Sequence, residues 1–239
     1  MKNIAIIIAG GSGKRTGQDI PKQFLTINDK PIIVYTLENF QRNEYVDDII
    51  VVCIDGWEHV LEAYAKQFGI TKLKYIVKGG ESGQHSIMNG VEEAYKHYPP
   101  DSCVIIHDGI RPLVDASVLN DVIEVCHKHG NGVTSLPYNE QIFVIKDDKS
   151  TDKYIPRETL RRVSTPQAYM LGRLHDRYKE ALAKGVGFTA SSYVNTMMVD
   201  LGETLYFAKG SDKNIKLTTK DDLQIFIGYI QGEEKTWLK

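Results

Sequence analysis

The chain is poor in cysteine: three in 239 residues, at Cys53, Cys103 and Cys126. That number excludes a disulfide-stapled scaffold, and none of the three stands in a CxxC or Cys/His ligand spacing. They read as buried thiols in a reducing compartment, the cytoplasm. Long apolar runs are missing as well. The first, Ile4 to Ala9, is too short to span a bilayer and leads into a glycine loop rather than a cleavage-site pattern. Charge imbalance is almost absent, since 29 Lys and Arg against 31 Asp and Glu leave a net of -2. So weak a field gives no reason to expect nucleic acid or an anionic membrane as partner, and leaves room only for a local basic site for a phosphorylated ligand. No internal repeat, low-complexity segment or Pro/Gly/Ser linker divides the chain, which reads as one domain over 1–239.

What is present is a regular alternation. Short β-branched runs at Asn3 to Ala9, Asp48 to Ile54, Leu73 to Val77, Ser102 to His107 and Gly132 to Leu136 predict strands. Between them, Pro31 to Gln41, Trp57 to Gln67, His85 to His97 and Ala116 to Lys128 carry apolar residues at helical spacing. This order predicts an α/β fold with a Rossmann-like, mostly parallel sheet and helices on both faces. The order breaks after Leu136, where Gln141 to Lys146, a polar turn at Asp147 to Asp152 and an extended stretch through Tyr154 predict a projecting β-arm at about 137–157. The chain returns through Arg161 to Tyr169. Helices at Leu171 to Ala183 and Ser192 to Leu201, a strand at Thr204 to Ala208 and a helix at Thr218 to Gln231 complete it.

The first strand runs into Ala9-Gly10-Gly11-Ser12-Gly13-Lys14-Arg15, followed by Pro21-Lys22-Gln23. Glycines at a strand end let backbone N–H groups approach a phosphate chain. An ATPase P-loop would need glycine at position 8 and Ser or Thr at position 15, where this chain has Ile8 and Arg15. A GxGxxG dinucleotide turn would need glycine at position 16, which is Thr16. Two readings remain: a triphosphate cradle neutralised by Arg15 and Lys22, or an ordinary glycine turn with solvated basic residues.

Written out block by block, the chain resembles the cytidylyltransferases that act on methylerythritol phosphate and on ribitol 5-phosphate. The resemblance covers nearly the whole chain: Ala9-Gly10-Gly11 with Arg15; Pro21-Lys22-Gln23-Phe24-Leu25; Gly79-Gly80 with Ser86 and Asn89-Gly90; His107-Asp108 with Arg111-Pro112; Thr165-Pro166-Gln167; and Asn214-Ile215-Lys216 with Thr218 and Asp221-Asp222-Leu223. It implies a magnesium-dependent nucleotidyltransferase that moves CMP from CTP to a polyol phosphate. Residues Ile8, Ala9, Gly10, Gly11 and Gly13 would wrap the triphosphate. Arg15, Lys22 and Lys216 would surround its α-phosphate, and Gly80 and Ser86 would read cytosine. Asp108, just past a buried strand, would hold magnesium or the ribose–phosphate region, or would merely cap the next turn. His107 reads as a buried core residue, because an ionised phosphate nucleophile needs no general base. Relatives dimerise through such an arm and place its arginine in the partner's active site. By that comparison, Arg157 and Thr165 would bind the acceptor's phosphate, against the alternative of a surface arginine beside Glu158.

Two positions depart from the family. Gly83 stands where relatives carry arginine, and Ser192-Tyr193 stand where the methylerythritol enzymes carry a Thr-Asp pair that contacts the acceptor. Losing a carboxylate and gaining a phenol changes pocket charge and volume. The departure favours ribitol phosphate or a related surface-polymer polyol over methylerythritol phosphate. Two other functions fit the same fold: a sugar-phosphate nucleotidyltransferase using UTP or dTTP, and a non-catalytic nucleotide-binding relative.

Overall fold

The structure is a computed structural model that describes residues 1–11, 20–189 and 193–233. The first half runs β1 (Asn3–Ala9), a 3₁₀ turn (Lys22–Phe24), β2 (Thr26–Ile27), β3 (Lys30–Pro31), α1 (Ile32–Arg42), β4 (Asp48–Cys53), α2 (Glu58–Gln67), β5 (Leu73–Lys78), α3 (Gly83–His97) and β6 (Cys103–Asp108). The second half runs α4 (Ala116–His129), β7 (Asn131–Pro137), β8 (Ile142–Val144), β9 (Lys153–Ile155), a 3₁₀ turn (Arg157–Thr159), β10 (Arg161–Met170), α5 (Leu171–Lys184), α6 (Val194–Asp200), β11 (Phe207–Lys209) and α7 (Lys220–Glu233).

Seven strands form one sheet in the order β11-β7-β10-β6-β1-β4-β5. Strand β10 runs against both its neighbours, and the other pairings are parallel. Side-chain alternation explains why helices cover both faces. From β1, Ala5, Ile7 and Ala9 meet a cluster that includes Phe40 of α1, Leu61 of α2 and Val122 of α4. Ile4 and Ile6 face the other way, toward Val91 of α3 and Leu174 and Tyr178 of α5. A strand buried on both sides has no polar face to present, hence its unbroken apolar run.

The chain steps from β1 out to β4 and β5, then returns to β6 on the opposite side of β1. The carboxyl ends of β1 and β6 therefore flank the point where strand order reverses, which is where open α/β sheets leave a crevice. Away from the sheet, β8 and β9 pair only with each other, forming the expected arm. Its side chains are unusually bare for apolar residues: Phe143 is 56%, Ile145 79% and Tyr154 63% exposed.

Some boundaries differ from expectation for local reasons. The last strand begins at Phe207 rather than Thr204, because the Asn131 side chain donates to the Thr204 carbonyl and accepts the Tyr206 N–H, displacing ladder bonds there. Helix α7 begins at Lys220 because Thr219 and Asp222 form a reciprocal cap, the Thr219 hydroxyl accepting the Asp222 N–H and the Asp222 carboxylate accepting the Thr219 N–H. Helix α3 begins two residues early, at Gly83, with Ser82 as its N-cap. The β2–β3 hairpin was not expected; Asn28 and Asp29 both take positive φ at its turn, 49° and 58°. All three cysteines are buried and unpaired. Among the described residues no helix is long and apolar enough to cross a membrane.

Candidate active site

At the end of β1 the backbone is held from behind. The buried Gln23 amide donates to the carbonyls of Ala9 (2.7 Å) and Gly11 (3.0 Å). The Ala9 carbonyl also accepts the Ile54 N–H at 3.1 Å, so the end of β1 is fixed by both a backbone and a side-chain donor. Glycine at position 10 answers a lack of room, since a Cβ there would sit 3.1 Å from Ser86 Oγ and 3.3 Å from Gly79 Cα. Ser86 Oγ also accepts the Gly80 N–H at 3.0 Å. The turns after β1 and β5 and the first turn of α3 thus close on one another, bringing Ala9, Gly10, Gly11, Gly80 and Ser86 together. Lys22 opens the 3₁₀ turn beside Gln23. Gly13, Arg15 and Ser192 lie outside the described residues.

The Ile8 carbonyl accepts the Gly109 N–H at 2.8 Å, which ties this edge to the end of β6. There Asp108 gathers groups from three parts of the chain. Its Oδ1 accepts the Lys216 ammonium at 3.0 Å, and its Oδ2 accepts Arg111 Nε at 2.9 Å and the Thr165 hydroxyl at 3.2 Å. The same hydroxyl oxygen accepts the Asp108 N–H at 3.1 Å. Arg111 Nη1 donates to the Asn214 carbonyl, and Asn214 Nδ2 to the Thr165 carbonyl, both at 2.7 Å. Burial alone would raise the Asp108 carboxyl, but the charges of Lys216 and Arg111 outweigh it and hold the group at about 2. Asp108 is therefore an ionised carboxylate at neutral pH, set against two cations.

His107, directly before it, is fully buried, and burial pulls its ring down to about 4 despite a hydrogen bond to the Arg111 carbonyl. The ring is neutral at pH 7 and packs on Phe40, centroid to centroid 5.1 Å. It has the core role expected of it. Asp108 is an oxygen donor of the kind magnesium takes, and in this structure both its oxygens are engaged by Lys216, Arg111 and Thr165. Among the described residues no three His, Cys, Asp or Glu side chains are grouped to hold a metal by themselves.

The acceptor-side residues stand apart. Arg157 is exposed at the base of the arm, donating from Nη1 to the Asn139 carbonyl at 3.0 Å. It lines a hollow of about 320 Å³ with Tyr138 and Arg161, and it makes no hydrogen bond to the Asp108 cluster among the described residues. Thr165 belongs to that cluster, so the two residues expected to share one phosphate are on different parts of this chain. Tyr193, 59% exposed, caps the start of α6. Sequence reasoning overlooked two supporting residues, Gln23 and Asn214. Both sit inside motifs already singled out, Pro21-Lys22-Gln23 and Asn214-Ile215-Lys216, but their polar side chains carried no sign of which carbonyls they would reach.

A glycine turn at the sheet's reversal point, faced by a carboxylate that holds a distant lysine and an arginine, defines an enzyme of the nucleotidyltransferase class. The chain belongs to the 2-C-methyl-D-erythritol 4-phosphate cytidylyltransferase (IspD) family, whose model matches residues 3–231. It is 56% identical over 230 residues to a ribitol-5-phosphate cytidylyltransferase of Lacticaseibacillus paracasei, covering 96% of this chain and 98% of the relative. To a 2-C-methyl-D-erythritol 4-phosphate cytidylyltransferase of Clostridium novyi it is 32% identical, with 93% and 94% covered. In fold it matches the crystal structure of 4-diphosphocytidyl-2C-methyl-D-erythritol synthase from Anaerococcus prevotii, with a TM-score of 0.81 at 23% identity and 96% of each chain covered.

Proposed function

We propose that this enzyme transfers CMP from CTP to ribitol 5-phosphate, giving a CDP-polyol and pyrophosphate. The observation that carries the chemistry is the Lys216 ammonium, brought from the far end of the chain onto Asp108 at the carboxyl edge of β6, beside the β1 turn. In the reaction the acceptor's phosphate oxygen attacks the α-phosphorus in line, the bond to the β-phosphate breaks, and pyrophosphate departs with the electron pair. Such an acceptor is already ionised near neutral pH, so the site needs positive charge around the α-phosphate rather than a base. Lys216 supplies one such charge, joined in this reading by Arg15 and Lys22. The backbone from Ile8 to Gly13 cradles the phosphates, and Gly80 and Ser86 select cytosine. Asp108 would hold magnesium together with the triphosphate, and that ion would neutralise charge developing on the leaving pyrophosphate.

The acceptor is inferred from two features: the high identity to the ribitol-5-phosphate relative, and Ser192-Tyr193 in place of the Thr-Asp pair. Arg157 reads best as acting in trans. The bare Phe143, Ile145 and Tyr154 of the arm are the kind of apolar surface that a second copy would cover. A homodimer formed through the arm would carry each Arg157 toward its partner's acceptor site, where its forked guanidinium suits a phosphate. The buried thiols fit a cytoplasmic enzyme.

A pyrophosphate-release assay with CTP and a panel of polyol phosphates tests the whole reading. Release is expected only when CTP, magnesium and ribitol 5-phosphate are present together. Equal turnover with UTP, or a preference for methylerythritol phosphate, would overturn the donor or the acceptor assignment respectively.

A further inference from the structure

One buried amide joins the first turn of α3 to the segment that leads toward α6. Gln84, the second residue of α3, is only 4% exposed. Its Nε2 donates to the Gly187 carbonyl at 3.0 Å and lies 3.6 Å from Met197 Sδ, while its Oε1 accepts the Tyr178 hydroxyl at 3.2 Å. The next residue, His85, places its ring 4.9 Å from that of Phe188. Two successive side chains of α3 therefore grip two successive residues of the loop after α5. That loop is shaped to be gripped. Gly187 takes φ +81°, and a Cβ there would stand 2.5 Å from Met197 Cγ, so only glycine can offer its carbonyl to Gln84 in this setting. Met197 lies on α6, whose N-cap is Tyr193. On the other side, Ser86 is two residues from Gln84 and fixes the Gly80 N–H.

We propose that Gln84 is a positioning residue that sets the acceptor-contacting end of α6 relative to the cytosine-reading turn. The proposal rests on the reading of Gly80 and Ser86 as base contacts and Tyr193 as an acceptor contact. Its physical basis is direction. Apolar packing between α3, α5 and α6 would hold these elements together but would tolerate small slides, because burial energy has no preferred angle. A satisfied amide inside that packing fixes the loop in one place, since its donor and acceptor must each meet a specific partner in a low-dielectric interior. The acceptor's alcohol and phosphate groups would then meet Tyr193 at a set distance from the α-phosphorus, and errors of an ångström there matter greatly. Gln84 touches neither substrate in this scheme, so its loss should alter acceptor binding and leave donor binding alone.

Two variants test this by steady-state pyrophosphate release with CTP and ribitol 5-phosphate varied separately. Gln84→Met keeps length and volume but loses both hydrogen-bonding groups, and should raise the KM for ribitol 5-phosphate about tenfold while the KM for CTP stays within about twofold. Tyr178→Phe removes a single hydroxyl and should move the acceptor KM the same way, about threefold. The thermal shift produced by CTP should be that of the wild type in both. An unchanged acceptor KM in folded Gln84→Met, or an equal rise in both KM values, would overturn the proposal. If Gln84→Met does not fold, Tyr178→Phe decides by the same criterion. A wild-type enzyme that releases no pyrophosphate with CTP and any polyol phosphate would instead sink the functional reading, and this proposal with it.

Discussion

The two sides of the proposed site are built by opposite means. Around Asp108, residues from β6, β10 and the segment before α7 satisfy one another through hydrogen bonds, and the glycine turns of β1 and β5 pack against each other and the first turn of α3 at near-contact distances. Arg157, by contrast, stands exposed on a 3₁₀ turn below a two-stranded arm, with a carbonyl from the neighbouring loop as its hydrogen-bond partner. A buried, cross-braced site can be completed by one chain folding on itself. The ribbon above Arg157 pairs only with itself, and an isolated two-stranded hairpin is marginal in water. On the proposed reading, donor chemistry would be a property of the single fold, while acceptor capture would depend on assembly.

The sharpest way to break that comparison is to attack the braced side. Lys216→Met should lower kcat about 100- to 1000-fold, the usual loss when a preorganised transition-state donor is removed, with little change in oligomeric state. A loss below tenfold in single-turnover kinetics would take Lys216 out of the chemistry. Next in size, Arg157→Ala should reduce kcat/KM for ribitol 5-phosphate about 100-fold while CTP still shifts the melting temperature normally, because a truncated charge-to-phosphate contact costs about 2–5 kcal/mol. Mixing this variant with a Lys216→Met chain should restore some activity if Arg157 works across the dimer; no recovery would confine it to its own protomer.

The scaffold under the acceptor side can be tested through stability. Burial would raise the Glu203 carboxyl, yet bonds to Arg173 and Arg177 of α5 hold it below its ordinary 4.5. A carboxyl depressed by folding stabilises the native state above the unfolded pKa and loses that contribution as pH falls through the folded value. Glu203→Gln should therefore cost about 2 kcal/mol at pH 7, and its deficit against the wild type should shrink as pH drops below 4.5. A deficit independent of pH in urea unfolding would mean that packing, not charge, is what the substitution disturbs. Smallest of all, Gln23→Met should raise the KM for CTP about threefold by removing the side-chain donor to the Ala9 and Gly11 carbonyls, with the acceptor KM unmoved.

Much of this was legible in advance, and the reason differs by element. Strand β1 could be read to the residue because an apolar run buried on two faces has one interpretation once glycines end it. The arm was legible because its polar turn breaks a helical rhythm. The β2–β3 hairpin is not legible in the same way, although Asn28-Asp29 between short extended stretches is a turn signal; two-residue strands leave no periodicity to detect. Lys216 could be placed at the site only through the resemblance to a family, since nothing local announces a partner 108 residues away. Gln84 was hidden for a related reason: a single glutamine on an amphipathic helix ordinarily marks the wet face, and only tertiary structure turns it inward.

Strand β10 begins four residues after Arg157 and carries Thr165 before it enters the middle of the sheet. Its pairing with β7 shifts register between Val163 and Gln167, so Thr165 lies within an irregular stretch bracketed by two correctly paired ends. Adding or deleting one residue between positions 157 and 165 would have to be absorbed there, or every side chain beyond it would swap faces. If two copies join through the arm as proposed, that short span would be the ruler between their two active centres, and its length would be more constrained than that of the ribbon's tip.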